Sequence, residues 1–406
     1  MNHLLAPERG HGILFTRRRH GEVRDRAAGI RLCCVAVLIH LSAVSQPVFA
    51  QQKAIPDTED EQAIIDRTPQ DERVRIYRTP QERREAGRKR ELTDWIALSG
   101  LVELEYNFQR FSLSDTSNHT HNDDFDAFLQ LGLEVSPFTW MTAELIYQFA
   151  TESFSDWNSS DAHTLDEATV SLEASDFELV AGKQYLPFGV YFSRFVSNPI
   201  LEFGETRDWG VTLSYVPNDR LDFSAFAYNG QAKEVGSKGT SWDWGVAAEV
   251  SPSEYGSFGV SYLSDLADSQ EGLLDDFDDR YETRVDALSA FATIEYARFE
   301  LTGELVSALD SFEELDSDRD KPRAWNVELA FYPEGDFEWA LRLEGSDELD
   351  DAPRLQGGAS VAWRVTRYAS VTIEYLRGSY KAGLAEDEER ELDKVDQFGA
   401  LMSFEF

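Results

Sequence analysis

Cysteine is almost absent from this chain of 406 residues: it has two, Cys33 and Cys34. Both lie in the apolar stretch 32–50, which follows six arginines between residues 17 and 31 and ends in Val48-Phe49-Ala50. A basic segment, a short apolar segment and a small-x-small end are typical of a secretory signal peptide. We therefore expect residues 1–50 to be removed. The remaining chain then contains no cysteine, which excludes disulfides and thiol chemistry.

Positive charge is also scarce, with 38 Lys and Arg against 75 Asp and Glu, a formal net charge of −37. The first 50 residues hold 7 Arg and 3 acids, so their removal takes the net charge to −41. Binding to nucleic acid needs a basic face, and we expect no nucleic-acid partner. The charge balance suits cations or a solvated acidic surface.

Long uncharged runs and histidines are few. Outside residues 32–50, no run of 18 residues lacks a charged side chain, so a membrane-spanning helix is not expected. The histidines beyond residue 50 are His119, His121 and His163. The H-x-H of "NHTHNDD" (118–124) is a weak candidate for a metal site in a loop. We find no Ser–His pair placed for hydrolysis, and we predict neither enzymatic activity nor a cofactor.

A period of two dominates the sequence from Trp95 onward. In the last twelve residues, "VDQFGALMSFEF", apolar Phe398, Ala400, Met402, Phe404 and Phe406 alternate with more polar residues. This alternation predicts β-strands with two unlike faces. Sixteen such runs are predicted, at 95–109, 125–135, 140–150, 165–174, 177–185, 208–216, 221–229, 242–251, 257–264, 284–296, 299–308, 323–332, 337–346, 354–365, 369–377 and 394–406.

The connections between these runs alternate between short and long. Short ones carry turn residues, such as "PNDR" at 217–220 and "PEGD" at 333–336. Long ones, such as 265–283, are acidic and polar. This alternation is typical of an outer-membrane barrel, an all-β antiparallel meander with an even strand number, short periplasmic turns and long external loops. The sequence predicts 16 strands over residues 94–406. The final Phe406 resembles the C-terminal signature that the barrel-assembly machinery reads.

The two faces of the predicted strands differ in charge. One parity carries about eighteen acids, whereas the other carries none within a strand and places aromatic residues at the strand ends. Charged side chains are costly in hydrocarbon, so the acidic parity is expected to face the lumen and the aromatic ends to form two interfacial girdles. The predicted pore-lining residues are Glu103, Glu105, Glu144, Glu300, Glu304, Glu328, Arg342 and Arg364. This excess of acids predicts a lumen that prefers cations.

The long connection 186–207, "LPFGVYFSRFVSNPILEFGETR", is the most apolar of its set. Because an apolar loop is unfavourable in water, we expect it to fold against the inner wall of the barrel and narrow the pore. Packing on neighbouring loops or on a second barrel is the alternative. The residues predicted for this constriction are Lys183, Tyr185, Arg194, Glu202, Glu205 and Arg207.

Residues 51–93 are polar and charged, and we predict a periplasmic linker with one short helix near 81–92. The acid clusters "DDFDD" (275–279) and "EDEE" (386–389) are candidates for divalent cations that bridge lipopolysaccharide, although such runs are more often only solvated.

Four stretches resemble the legiobactin-type siderophore porins: "AGKQYLPFG" (181–189), "SNPILEFGETR" (197–207), "RKRELTDWIALSGLVELE" (88–105) and "LDEATVSLE" (165–173). The resemblance covers about 78–406 and implies an outer-membrane barrel linked to the passage of siderophores or ferric siderophores. The matching positions are Gly182, Lys183, Gln184, Pro187, Phe188, Gly189, Glu205, Thr206 and Arg207. Phosphate-selective porins carry a string similar to "GK…PFG".

The sequence thus predicts a porin of a Gram-negative outer membrane that passes small solutes, with a siderophore as the expected cargo class. A general or phosphate-selective porin is the alternative within transport, and a non-conducting anchor or adhesin is the alternative outside it. Expected partners are outer-membrane lipid, lipopolysaccharide, a small-molecule solute or siderophore and the assembly machinery, and a homo-oligomer is one option.

Overall fold

The computed structural model describes residues 90–114, 119–151, 163–237, 241–253, 255–269, 273–274, 280–387 and 390–406. Within them the sixteen predicted strands are confirmed, and they form a closed antiparallel barrel. In chain order, β1 to β16 are Ile96–Leu113, His119–Phe138, Met141–Thr151, His163–Ala174, Phe177–Tyr185, Arg207–Asn218, Leu221–Gly230, Ser241–Ser253, Gly256–Leu263, Ala287–Tyr296, Phe299–Ala308, Arg323–Phe331, Phe337–Asp347, Leu355–Thr366, Ala369–Ser379 and Arg390–Glu405.

Each strand pairs with the next along the chain, and β16 closes the barrel on β1. The closing register places Leu101 opposite Glu405 and Gln109 opposite Gln397. The terminal residue extends this pairing, because Phe406 N donates to Gly100 O at 2.9 Å and Gly100 N donates to Phe406 O at 2.8 Å. All strands therefore have two neighbours, which removes the open edges that a flat sheet would present.

The predicted alternation of faces is visible on β13. Ala340, Arg342 and Glu344 are at most 3% exposed, whereas Leu341 and Leu343 are 57% and 49% exposed. Large apolar side chains thus form the outer surface, and charged ones turn inward. Aromatic pairs flank the short turns, as in Phe177–Tyr215 with centroids 4.6 Å apart and Phe337–Trp363 at 5.9 Å. This surface matches a lipid-facing band with an aromatic girdle.

Several details differ from the sequence predictions. Residues 90–92, where a short helix was expected to end, belong to a strand, Arg90–Thr93, that pairs with the start of β1. Residues 119–124 of "NHTHNDD" lie in a strand rather than a loop, because β2 already begins at His119. β1 and β2 extend further beyond the apolar pattern because their polar ends continue to pair with each other. The predicted signal peptide (1–50) and most of the predicted linker (51–93) lie outside the described residues.

The long connections contain short strands and 3-10 helices. Lys233–Glu234 pairs in parallel with Arg280–Tyr281, and Glu386–Asp387 pairs with the start of β16. Short 3-10 helices span Ile200–Gly204 and Leu266–Asp268. Among the described residues, no helix has the length and apolar character needed to cross a membrane.

The polarity of the two faces is testable with neighbouring residues at one depth of β8. Val246 is 43% exposed on the outer face, whereas Ala247 lines an interior cavity. Because a lipid-facing Lys near mid-depth costs about 2–4 kcal/mol, Val246→Lys is expected to lower the free energy of unfolding by that amount. Ala247→Lys is the matched control and is expected to cost less. Urea unfolding in lipid vesicles measures both, and equal costs would contradict the assignment of faces.

Candidate pore constriction

The connection predicted at 186–207 spans residues 186–206 between β5 and β6 and is hereafter called the inner loop; it contacts the opposite wall. Its backbone and side chains bind residues on β9, β11, β12, β13, β14 and β15. Since β5 and β6 are neighbours and β11–β15 lie several strands away, the inner loop crosses the interior of the barrel to reach them. This position agrees with the expectation of an inward-folded loop.

Four glutamates of the wall hold the backbone of the inner loop. Glu304 accepts from Val190 N at 2.7 Å and from Tyr191 N at 2.8 Å. Glu374 accepts from Val196 N at 2.5 Å and from both Ser197 N and Ser197 Oγ.

The other two glutamates each take one amide. Glu328 accepts from Arg194 N at 2.9 Å, and Glu344 accepts from Ile200 N at 2.9 Å. A segment without regular secondary structure leaves its amides unpaired, and buried amides need acceptors. The inward carboxylates supply them through charge-assisted hydrogen bonds.

Donors from the wall bind the carbonyl groups of the same segment. Asn326 Nδ2 donates to Phe192 O at 3.3 Å, and Ser360 Oγ donates to Arg194 O at 2.9 Å. Arg342 Nη1 donates to Ser197 O at 3.1 Å. The inner loop is therefore bound to the wall through both its donors and its acceptors.

Arg194 anchors the middle of the inner loop by its side chain. Its guanidinium lies 2.5 Å from Glu300 and 2.9 Å from Glu338, and it also approaches Glu328 at 3.7 Å. The side chain is 1% exposed. Tyr332 OH donates to Glu300 at 3.0 Å and lies 3.2 Å from Arg194 Nη2. Arg194 is thus a buried counter-ion of the acidic wall.

Arg342 plays the same part from the wall side. Its Nε lies 2.9 Å from Glu328, and its Nη1 lies 3.4 Å from Glu344. The guanidinium also lies 4.3 Å from the centre of the Phe195 ring, within the range of a cation–π contact. Two arginines, one from each side, therefore neutralise part of the acid cluster beneath the inner loop.

The opposite side of the inner loop is apolar and joins the long connections between strands. Phe188, Leu201 and Phe203 are at most 3% exposed and pack in one buried cluster with side chains of other connections. Those side chains are Leu266, Ala267, Leu274, Val285, Phe312 and Leu349. The inner loop therefore also packs on neighbouring loops, as the alternative prediction stated, and it does so with its apolar side.

The motif "GKQYLPFG" (182–189) spans the end of β5 and the start of the inner loop. Steric contacts explain why two of its positions are glycines. Gly189 has φ +73°, and a Cβ there would lie 2.5 Å from the Tyr191 ring. Gly182 has φ +142°, and a Cβ would lie 2.0 Å from Ala168 O. A side chain at either position would therefore displace the backbone that launches the inner loop.

Tyr185 and Arg207 mark the two ends of the inner loop and meet on β4. Tyr185 OH donates to Asp166 at 2.9 Å, and Arg207 Nη1 forms an ion pair with the same carboxylate and lies 2.9 Å from Tyr185 OH. Lys183 Nζ donates to Leu165 O at 2.7 Å. The ends of the loop are thereby fixed to the neighbouring strand.

The structure divides the predicted pore-lining residues into two groups. Glu304, Glu328 and Arg342 are not open to a lumen, because the inner loop covers them; Glu300 contacts Arg194 and also borders a cavity. Parity identifies the side on which a residue lies but not what covers it. Glu103, Glu105, Glu144 and Arg364 are half-buried and lie on β1, β3 and β14.

The predicted constriction residues are also spread over two elements. Arg194, Glu202 and Glu205 lie within the inner loop, whereas Lys183 and Tyr185 belong to β5 and Arg207 begins β6. A continuous basic path of Lys183, Arg194 and Arg207 is not formed, because Arg194 is enclosed by glutamates and Arg207 pairs with Asp166.

Sequence reasoning missed several members of this site. Glu338 and Tyr332 bind Arg194 or its partners, and Asp166 holds the loop ends. Glu344 and Glu374 had the inward parity but were not singled out as site residues. The inward parity was a usable signal for Glu338, whereas Asp166 sits where the register of β3 and β4 shifts, so strict alternation does not locate it.

Open space remains beside the inner loop. A cavity of about 580 Å³ lies between Val190 and Phe192 on one side and strands β8 to β11 on the other. Its charged lining residues are Asp219, Arg220, Glu249, Glu295 and Glu300. A second cavity of about 280 Å³ shares Glu249 with it.

The second cavity adds Glu205 and Asp222 to the acidic lining. The histidine hypothesis gains no support, because within the described chain the only carboxylate or histidine group of three with converging ligand atoms does not include His119 or His121. "DDFDD" lies outside the described residues, as does half of "EDEE".

Comparison with solved structures identifies porin-like outer-membrane channels as structural neighbours. OmpF of Salmonella typhi, solved with daunomycin, has a TM-score of 0.53 and 11% identity, covering 78% of this chain and 100% of that one. The anion-selective porin of Comamonas acidovorans has a TM-score of 0.54 and 11% identity, covering 76% and 99%. The outer-membrane channel DcaP of Acinetobacter baumannii has a TM-score of 0.53 and 12% identity, covering 76% and 97%. The fold is therefore porin-like.

Comparison with known sequences finds a relative that matches only part of the chain. A UPF0422 protein of Coxiella burnetii (strain RSA 493 / Nine Mile phase I) is 26% identical over 201 residues, which is 47% of this chain. The match spans 42% of the length of that curated relative. No protein-family model matches the sequence.

The binding of loop amides by wall carboxylates generates a local test. Glu374→Gln removes the charge that serves Val196 and Ser197. Because hydrogen bonds to charged groups contribute about 1.5–3 kcal/mol, amide hydrogen exchange at 196 and 197 is expected to accelerate by about tenfold to a hundredfold. Glu249→Gln is the control, since Glu249 lines the cavity without a hydrogen bond to the described loop backbone. Equal exchange in both variants would refute the clamp.

Proposed function

We propose that this protein is a porin of a Gram-negative outer membrane, a channel for small solutes whose width is set by the inner loop. The observation that carries the proposal is an apolar loop bound across the interior of a sixteen-stranded barrel by wall carboxylates. A barrel of this size is wide enough for an aqueous channel, and a loop inside it reduces the cross-section. The porin-like fold of the structural neighbours supports the same function.

The charge of the remaining open space favours cations. The two cavities beside the inner loop are lined by six acids and one base, Arg220. The acids are Glu205, Asp219, Asp222, Glu249, Glu295 and Glu300. A narrow space with this lining concentrates cations and repels anions, more strongly at low ionic strength. One structural neighbour is an anion-selective porin, so the preference for cations is inferred from the lining and not from the barrel fold.

The lining also bears on the cargo. A phosphate-selective pore would need a ladder of Lys or Arg, but Arg194 and Arg342 are enclosed among glutamates beneath the inner loop. We therefore favour a neutral or cationic cargo, and a siderophore of that charge class agrees with the resemblance of residues 181–189 and 197–207 to siderophore porins. A general porin is the alternative. The exposed aromatic and apolar outer face favours outer-membrane lipid and lipopolysaccharide as surroundings.

Channel recording tests the proposal. In planar bilayers the purified protein is expected to conduct, and a tenfold KCl gradient is expected to give a reversal potential that indicates potassium preference. Glu249→Gln is expected to reduce this preference because Glu249 borders both cavities. Asp318→Asn, in an exposed loop, is the control. Chloride preference would overturn the assignment of the lumen charge, and absence of conductance would favour the anchor or adhesin.

The inner loop has a separate test. Deletion of residues 190–200 removes the segment that covers Glu304, Glu328 and Glu374. Unitary conductance is expected to rise and potassium preference to increase, because the pore becomes wider and the uncovered carboxylates face water. Heat-modifiable migration in gels verifies that the variant folds. An unchanged conductance in a folded variant would show that the inner loop does not limit the pore.

A further inference from the structure

Three aspartates outside the proposed constriction converge near the long connections of the barrel. Asp243 lies at the beginning of β8, whereas Asp265 and Asp268 belong to the connection between β9 and β10. One carboxylate oxygen from each lies within 4.8 Å of the others. Asp243 and Asp265 are 1% and 0% exposed, and Asp268 is half-buried. Buried carboxylates repel one another more strongly than solvated ones. Three of them in one place therefore distinguish this cluster from an ordinary acidic surface.

The contacts of this aspartate cluster leave its charge uncompensated. Arg284 is the base that contacts it within the described chain: Nη2 lies 2.9 Å from Asp243 Oδ1, and Nε lies 3.6 Å from Asp265 Oδ2. Three carboxylates and one guanidinium give a formal charge of −2. A buried net charge of this size is unfavourable without a further cation.

Two oxygen atoms point to where that cation belongs. Asp243 Oδ2 and Asp268 Oδ2 are buried, and no described donor meets either oxygen with hydrogen-bond geometry, although the hydroxyl groups of Ser241 and Ser264 lie close to the Asp243 carboxylate. Both face the backbone of Gly230, since a Cβ there would lie 2.0 Å from Asp268 Oδ2 and 2.8 Å from Asp243 Oδ2. The glycine therefore leaves room for two unpartnered carboxylate oxygens to approach one point.

The other oxygens of the loop aspartates are fixed by the backbone. Asp265 Oδ1 accepts from Ala267 N at 3.1 Å, and Asp268 Oδ1 accepts from Ala232 N at 2.8 Å. These bonds occupy one oxygen of each loop aspartate; of the second oxygens, Asp265 Oδ2 contacts Arg284 and Asp268 Oδ2 has no donor among the described residues. Burial and, after it, the charge of the nearby Asp265 raise the pKa of Asp268 to about 8. The geometry is thus built, and the carboxylate charges are destabilised as long as no cation neutralises them.

We propose that Asp243, Asp265 and Asp268 bind a divalent cation, with Ca²⁺ as the best match. Carboxylate oxygens are the ligands of hard cations, and Ca²⁺ accepts irregular oxygen geometry with six to eight ligands, whereas Mg²⁺ requires a near-ideal octahedron. A charge of +2 balances the cluster. The remaining coordination positions are left to carbonyl oxygens or water.

Such an ion would join three parts of the chain. Asp243 belongs to β8, Asp265 and Asp268 belong to the β9–β10 connection, and Asp268 also holds the backbone at Ala232. Leu266 and Ala267, between the loop aspartates, pack in the same apolar cluster as Phe188 and Phe203 of the inner loop. Binding of Ca²⁺ would therefore stabilise the connections against which the inner loop rests.

Metal binding by the folded protein tests the proposal. The protein is refolded in detergent without lipopolysaccharide, treated with a chelator and titrated with Ca²⁺ in a calorimeter. Tb³⁺ luminescence, sensitised by the nearby Tyr228 or Tyr281, gives a second readout. We expect saturable binding in the range of extracellular calcium modules, about 0.1–1 mM or tighter. Ca²⁺ is also expected to raise the unfolding temperature.

Matched variants locate the site. Asp268→Asn is expected to weaken Ca²⁺ binding at least tenfold and to abolish the thermal shift, whereas Asp318→Asn in an exposed loop leaves both unchanged. Arg284→Gln removes a competing positive charge and is expected to tighten binding. The proposal is overturned if wild type shows no saturable binding by about 10 mM, ten times the weak end of that range. Equal affinity in wild type and Asp268→Asn would overturn it as well.

Discussion

The arrangement of the barrel interior depends on one interaction, the binding of loop amides by wall carboxylates. The inner loop enters the barrel without forming a helix along most of its length, so its amides need acceptors from elsewhere. Glu304 and Glu374 each serve two neighbouring amides, and Glu328 and Glu344 each serve one. The acidic face is therefore structural as well as electrostatic.

Much of this organisation could be predicted from the sequence, because a strand's alternation is a local property. The alternation of Leu341 and Arg342 fixes which side chain faces lipid, and the sixteen strands follow from such patterns together with the turns. The apolar content of 186–207 indicated that the segment would leave water. What local patterns do not contain is the partner across the barrel: that Glu374 binds Val196 depends on the path of the inner loop through three dimensions.

The same limit explains the errors in the site. Glu304 and Glu328 were expected in the lumen because their parity is inward, yet the inner loop covers them. Arg194 was predicted only as a residue of the constriction, yet it is surrounded by Glu300, Glu328 and Glu338. In both cases the residue lies on the predicted face or loop, but its burial means that its charge binds other protein groups instead of facing water.

The inward-facing acids therefore have two roles, depending on whether the inner loop covers them. Glutamates beneath it are bound to amides and to two arginines, and removing one partner from such a buried set costs about 3–5 kcal/mol because the remaining charges lose their compensation. Acids beside it, such as Glu249, line open space and carry no such constraint. Charge at the first group determines where the inner loop rests, and charge at the second acts on solutes. Single substitutions that change selectivity without loss of the fold should consequently be confined to the cavity side, on strands β8 to β10, where no described amide of the inner loop depends on a glutamate.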